Sequence, residues 1–321
     1  MAFSINTLQS ITQNYIAPRV VDNTFKGCPY AYWLKENGRL SLRGGLALRF
    51  PIIKAQLNFD WYSGTDPASL EVLEPNTAAQ YNWFWGRVPY VITEEDIDKN
   101  SGPDGIVDII DATEQNATLT LIEQLSLGLF GTNASAPKQP DGLQDMFAAS
   151  GTTYGGLLDT DFVSPATWLT SIISPLVAGQ LTAQEMRRMR GSVTRGAAKP
   201  NLGLCNFPVY NTIWRIAQGV QRFGMDPIAK LGFDHMMFEN MPIMPDEHAP
   251  GTGYGTADSW LMFLNTDYIK LVIHENKAFI SRVYAPIPQQ EVYIGKILVG
   301  LDQITTNRRM HAVIKTINPT L

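Results

Sequence analysis

The chain has 321 residues and is 45% hydrophobic, which excludes a disordered polymer and leaves room for one large or two medium domains with a real core. A formal charge of −5 and a pI near 5.4 exclude a protein that grips nucleic acid through a basic face, though not one that merely encloses it. Two cysteines, Cys28 and Cys205, exclude a disulfide framework and a cysteine metal site, and a reducing compartment is expected.

Met1 to Tyr15 has neither a basic nor an apolar leader region, so no signal peptide is expected. No apolar run reaches the ~18 residues that a membrane span needs. Residues 1–45 read as an extended N-terminal arm. Ile5, Leu8 and Ile11 share one short helical face, and Pro18, Pro29 and Gly44-Gly45 interrupt anything longer. The arm's aromatics, Tyr30, Tyr32 and Trp33, point to a partner that holds it.

Leu46 to Ile92 reads as a long two-stranded β-hairpin. Leu46, Leu48, Phe50 and Ile52 alternate with other residues, as do Tyr81, Trp83, Trp85 and Arg87. The tip, 62–77, carries Ser-Gly, Asp-Pro and Glu-Pro-Asn turn chemistry. A lone hairpin is marginal in water, and this one holds Trp61, Trp83 and Trp85 of the chain's seven tryptophans. Either the rest of the chain covers them or another copy does. The stretch 55–86 contains Asp60, Asp66, Glu71 and Glu74 and no lysine or arginine, so it is aromatic and acidic at once.

A helix is predicted from Asp104, a plausible N-cap, to Phe130. Ile106, Ile110, Ala117, Leu121 and Leu125 form its stripe, and Gly131 stops it. Residues 132–160 are loop-rich. Thr182 to Glu185 is a capping box opening a helix that runs through Arg190 and ends at Gly191. Asn201–Cys205 reads as a strand. A helix from Pro208 follows, with Val209, Ile213, Ile216 and Val220 on one face and Gly224 after it. Leu231–Phe238 and Met241–Met244 return as strand, giving a small α/β unit. Further strands are predicted at Trp260–Leu264, Tyr268–His274, Phe279–Tyr284, Val292–Leu298 and Ala312–Ile317.

The chemical motifs are missing. No phosphate-binding Gly-rich loop precedes Gly295-Lys296, Gly251-Thr-Gly253-Tyr-Gly255 has the wrong spacing for a dinucleotide, and there is no Gly-x-Ser-x-Gly elbow. His235, His248, His274 and His311 form no metal motif. Asp246-Glu247-His248 reads as a solvated turn between two prolines. Asp96 to Gly102 imitates a calcium loop, but its glycine comes one position late and Val107 stands where the ligating glutamate belongs. No catalytic residue, cofactor or metal is expected. Arg187, Arg188, Arg190 and Arg195 are the one basic cluster; they suit a helix C-terminus, or a surface on which an acidic hairpin lands.

Several stretches together resemble the major capsid proteins of tailed bacteriophages. These are Trp83-Phe84-Trp85-Gly86, Ile106-Val107-Asp108-Ile109-Ile110 through Leu127-Gly-Leu129-Phe130-Gly131, Gly142-Leu143, Tyr154-Gly155-Gly156 with Trp168, Leu231-Gly-Phe233 with Met241-Pro242-Ile243, and Phe263-Leu264-Asn265-Thr266-Asp267-Tyr268. They cover the chain from the hairpin to about His274. The resemblance implies an α+β fold shared with encapsulins and the herpesvirus capsid floor. Its parts would be an N-terminal arm (1–45), an extended loop (46–92), a peripheral domain with a long spine helix (93–150 and 275–321) and an inserted α/β axial domain (151–274).

It also implies a structural subunit that is not an enzyme and assembles with copies of itself into hexamers and pentamers. Those would close an icosahedral virion shell around double-stranded DNA held without sequence-specific binding, built in the host bacterial cytoplasm with no membrane. A portal is an expected partner, and any scaffolding or decoration protein is expected to be separate. Tyr30, Trp33, Trp61, Trp83, Trp85, Arg87, Arg187 and Arg188 are the candidates for contacts between subunits. Some related capsids crosslink through a lysine near the loop tip; here Lys54 lies low on one strand, so no such crosslink is expected. An encapsulin-like compartment, a soluble α/β enzyme and a tail or portal component are the rival readings.

Overall fold

The computed structural model describes residues 28–66, 74–95, 103–134, 137–162, 167–175, 177–217, 236–286 and 292–320, with backbone alone for 103–111 and 283–286. Ile5, Leu8 and Ile11, the Asp96–Gly102 segment, Val220, Gly224 and most of the 231–238 strand prediction lie outside these residues.

In chain order the elements are α1 (Pro29–Glu36), β1 (Leu40–Arg43), β2 (Leu48–Ile53), β3 (Asn76–Tyr81), β4 (Phe84–Thr93), α2 (Pro103–Phe130) and α3 (Leu143–Met146). Then come β5 (Thr153–Tyr154), β6 (Leu157–Leu158), β7 (Ser171–Ile173), α4 (Ala183–Val193), β8 (Leu202–Cys205), α5 (Phe207–Ala217), β9 (Met236–Phe238) and β10 (Met241–Pro245). The chain closes with β11 (Ser259–Leu264), β12 (Ile269–His274), β13 (Ile280–Pro286), β14 (Val292–Thr305) and β15 (Ala312–Ile317). They fall into two compact units, 1–44 with 83–142 and 271–303, and 45–82 with 143–270 and 304–321.

The first unit is built on a five-stranded sheet ordered β1-β12-β14-β13, with β4 on β14 as well. β4 runs antiparallel to β14 from Val292↔Thr93 to Leu301↔Phe84. Along this seam two glycines of β14 lie opposite aromatic rings: Gly295 pairs with Tyr90 and Gly300 with Trp85. A Cβ at either position would collide with the ring across from it, so glycine here makes room for an aromatic side chain. Gly295→Ala is expected to cost roughly 1–3 kcal/mol by overpacking. A denaturation midpoint equal to the parent's would contradict that.

Helix α2 packs along β4. Its 28 residues make it roughly 40 Å long at 1.5 Å per residue. Ala117 and Leu121 of the expected stripe are buried. So is Glu114, which accepts a hydrogen bond from Tyr90 Oη at 2.9 Å. Pro29 does not interrupt the chain as expected. It opens α1, where a missing N–H costs nothing, and α1 buries Tyr30 and Leu34, with the Tyr30 ring 5.7 Å from that of Phe130.

Asp302, on β14, is fully buried. Burial, and after it the nearby Asp141 carboxylate, push its carboxyl well above the usual carboxylate range. A folded-state pKa above the unfolded value of about 4 means that the folded chain holds a proton the unfolded chain gives up. The resulting stability is present below about pH 4 and is lost as pH rises through the raised pKa. Asp302→Asn is therefore expected to raise the melting temperature at pH 8 more than at pH 5. Equal effects at both pH values would refute this.

The second unit centres on a six-stranded sheet ordered β7-β15-β11-β8-β10-β9. Helices α4 and α5 cover one face through Met186, Met189, Val193, Val209 and Ile213, packed with Cys205, Ile243, Leu261, Phe263 and Ile314. The alternate residues Leu204, Met262 and Val313 are also fully buried. Burial on both faces explains why these strands read as continuous apolar runs. The C-terminal strand β15 lies inside this sheet, between β7 and β11, so 275–321 does not form one peripheral segment as expected. Helix α4 has the predicted capping box but runs past Gly191 to Val193, whose buried side chain continues the apolar face.

Candidate assembly surface

The hairpin of the second unit is shorter than its sequence suggests. β2 pairs with β3 from Leu48↔Tyr81 to Ile53↔Asn76, and the chain then leaves for β4. Trp85 and Arg87 therefore belong to the five-stranded sheet and not to the hairpin, and Trp83 lies in the link just before β4. The period-two pattern runs on unbroken across Asn82, while the pairing partner changes there.

The base of the hairpin is covered by its own unit. Leu48, Phe50, Ile52, Ala79 and Tyr81 are buried. Tyr81 Oη donates to the Thr305 carbonyl at 2.8 Å, and the Gln80 N–H to the Gly155 carbonyl at 2.9 Å. Beyond Ala55 the picture inverts, and every residue from Gln56 to Asp66 is exposed. Leu57, Phe59, Trp61 and Tyr62 are 70%, 74%, 91% and 80% exposed. Phe59 and Trp61 meet edge to face, with ring centroids 5.1 Å apart. These side chains, toward the tip end of the hairpin, form an exposed apolar patch and so a candidate contact surface. Leu57, Phe59 and Tyr62 are absent from the sequence-based candidates, although the alternation Leu57-Asn-Phe59-Asp-Trp61 was there to be read.

The other candidates divide. Tyr30 is fully buried inside its own unit and is withdrawn as a contact, because Phe130 takes its ring. Trp33 is half-buried. Trp83 and Trp85 flank His274, with ring centroids 4.8 and 5.2 Å from it. Lys277 Nζ lies 4.4 Å above the Trp85 ring, which is 49% exposed. Arg187 and Arg188 are exposed. Arg187 is 3.2 Å from Glu239, and Arg190 Nη1 is 2.6 Å from the same carboxylate, so two members of the basic cluster are paired within the chain. Asp246 is buried rather than solvated. Its Oδ1 accepts the His248 N–H at 3.0 Å and its own N–H bonds the Cys205 carbonyl, which fixes the turn as a continuation of β10.

In the first unit, β4 and α2 enclose a groove of about 560 Å³. Val88, Ala117, Leu121, Leu125, Val299 and Leu301 give it apolar walls, and Arg87 and Lys138 line it as exposed cations. Among the described residues no group of three or more His, Cys, Asp and Glu could hold a metal ion, and no helix is long and apolar enough to cross a membrane.

Comparison with known proteins defines the fold. The capsid asymmetric unit of cyanophage A-1(L) superposes with a TM-score of 0.68 at 15% identity, over 87% of this chain and 90% of that one. The capsid of a native GTA particle gives 0.64 at 9% identity, over 88% and 89%. The SrpI encapsulin of Synechococcus elongatus PCC 7942 gives 0.61 at 10% identity, over 90% and 88%. The chain thus has the fold shared by tailed-phage capsid proteins and encapsulins. No protein-family model and no curated sequence matches it.

Proposed function

We propose that this chain is a major capsid protein, whose copies assemble as hexamers and pentamers into an icosahedral shell around double-stranded phage DNA. The observation that carries this reading is the exposed apolar hairpin tip, on a fold that solved phage capsids share over nearly their whole length. Free in water, the tip would leave four large apolar side chains uncovered; in a shell a neighbouring copy covers them. Helix α2 then acts as the spine and the six-stranded unit as the axial domain. The negative net charge suits an inner wall that holds DNA loosely and releases it. Portal and any scaffolding or decoration proteins would join in the host cytoplasm, with the virion capsid as destination.

The likeness to an encapsulin keeps one second reading, a compartment shell with protein cargo. Nuclease treatment of purified particles separates the two. Protected double-stranded DNA is the expected result, and particles that hold protein cargo and no DNA would establish the compartment.

A further inference from the structure

We propose that the exposed face of α4, with the turn that follows it, is a contact surface for the phosphate backbone of the packaged double-stranded DNA. The inference rests on the shell-subunit reading and adds to it which surface meets the DNA.

Positive charge is concentrated here. Residues 186–199 hold Arg187, Arg188, Arg190, Arg195 and Lys199 and no acidic residue, in a chain whose formal charge is −5. Met186, Met189 and Val193 face the core of the second unit. The helical period then turns Arg187, Arg188 and Gly191 outward, and all three are exposed. Past α4 the Arg195 N–H donates to the Ala198 carbonyl at 2.9 Å and the Ala198 N–H to the Arg195 carbonyl at 3.0 Å, with Gly196 at a φ of 57° between them. This tight turn is flanked by Arg195 and Lys199, both exposed. Glu239 pairs with two of the five cations, at 3.2 Å from Arg187 Nε and 2.6 Å from Arg190 Nη1. One carboxylate against two guanidinium groups leaves the surface positive, and the Arg187 side chain is still 74% exposed.

The surroundings of these cations select the partner. Between 183 and 199 every large apolar side chain is buried, and the exposed residues beside the cations are Ala183, Gln184, Gly191, Gly196 and Ala197. A protein partner is anchored by large aromatic or aliphatic groups, and this stretch offers none. A phosphate backbone needs cations and room to approach, and the small residues leave that room. Four of the five cations are arginines, whose planar fork matches two phosphate oxygens at once. Phosphate contacts read no sequence, which suits a shell that encloses DNA whatever its sequence. The acidity of the rest of the chain keeps the hold weak.

The test titrates a fluorescent duplex of arbitrary sequence with the full-length subunit and reads anisotropy. Contacts from Arg187, Arg188, Arg195 and Lys199 predict an affinity that falls roughly a hundredfold between about 50 and 200 mM salt. Arg188→Gln, Arg195→Gln and Lys199→Gln together are expected to cut that fall to about threefold. Lys138→Gln with Lys296→Gln, exposed cations of the first unit, is expected to keep it. An unchanged salt dependence in the triple variant overturns the assignment. So does a subunit that binds polyglutamate and not the duplex, which would point to an acidic protein partner. In DNA-filled particles Lys199 is expected to be acetylated at less than a fifth of its rate in emptied ones, and equal rates overturn the contact. Sedimentation of the same chains reads the shell separately. Normal particles alongside a failed DNA result leave the shell reading standing. If the unsubstituted chain forms no particles, that reading falls and the packaged-DNA contact falls with it.

Discussion

Replacing Arg308 with alanine is expected to destabilise the second unit by roughly 3–5 kcal/mol, at the upper end of single substitutions. The guanidinium is fully buried. It donates to four backbone carbonyls, from Nε to Met146 at 2.6 Å, from Nη1 to Trp168 at 3.4 Å, and from Nη2 to Asp145 at 3.4 Å and Ala148 at 3.0 Å. It also lies 5.1 Å from the centroid of the Tyr154 ring. Its removal leaves acceptors on two separate segments without their donor. Lysine cannot rescue the site, because one ammonium cannot fork to all four carbonyls. Equilibrium unfolding of the unassembled subunit reads the loss, and a loss below about 1 kcal/mol would show that water replaces the guanidinium.

The second large effect is on assembly. Phe59→Ala combined with Trp61→Ala is expected to reduce particle yield more than tenfold while leaving the subunit's melting temperature within about 2 °C. Each side chain is almost fully exposed, so each contributes little to the fold of one copy, where exposed substitutions stay within ~0.5 kcal/mol. In an interface the same aromatics are worth ~2 kcal/mol or more each. Sedimentation separates particles from free subunits. Normal particle yield would mean that the tip is ornamental, and a collapsed melting temperature would mean that it packs inside its own chain.

Much of the fold is legible in the sequence where one local rule decides the outcome. The capping box at Thr182 is one such place: the Thr182 N–H donates to Glu185 Oε2 at 2.9 Å and the Glu185 N–H to Thr182 Oγ1 at 3.3 Å. Gly131 directly after α2 is another. β15 spans the predicted Ala312–Ile317, a short segment rich in β-branched residues, Val313, Ile314, Thr316 and Ile317, as strands favour.

What the sequence hides is the choice of partner. Period two says that 81–87 is extended, but not that Tyr81 pairs with Leu48 while Phe84 pairs with Leu301. The end of β14 reads as Leu298, because Gly300 and Asp302 break the apolar pattern. The strand continues to Thr305, since Gly300 accommodates the Trp85 ring and Asp302 is buried. The exposed apolar patch, the candidate contact surface, is half legible for the same reason. Trp61 stands out by type, whereas Tyr30 and Phe59 look alike until burial tells them apart, at 0% and 74% exposure.

Negative-stain electron microscopy of the purified protein, with and without a co-expressed scaffolding partner, tests the central claim most directly. Closed icosahedral shells are the predicted result. A stable monomer under both conditions, with no closed particles, would contradict the account and reopen the reading of a soluble enzyme.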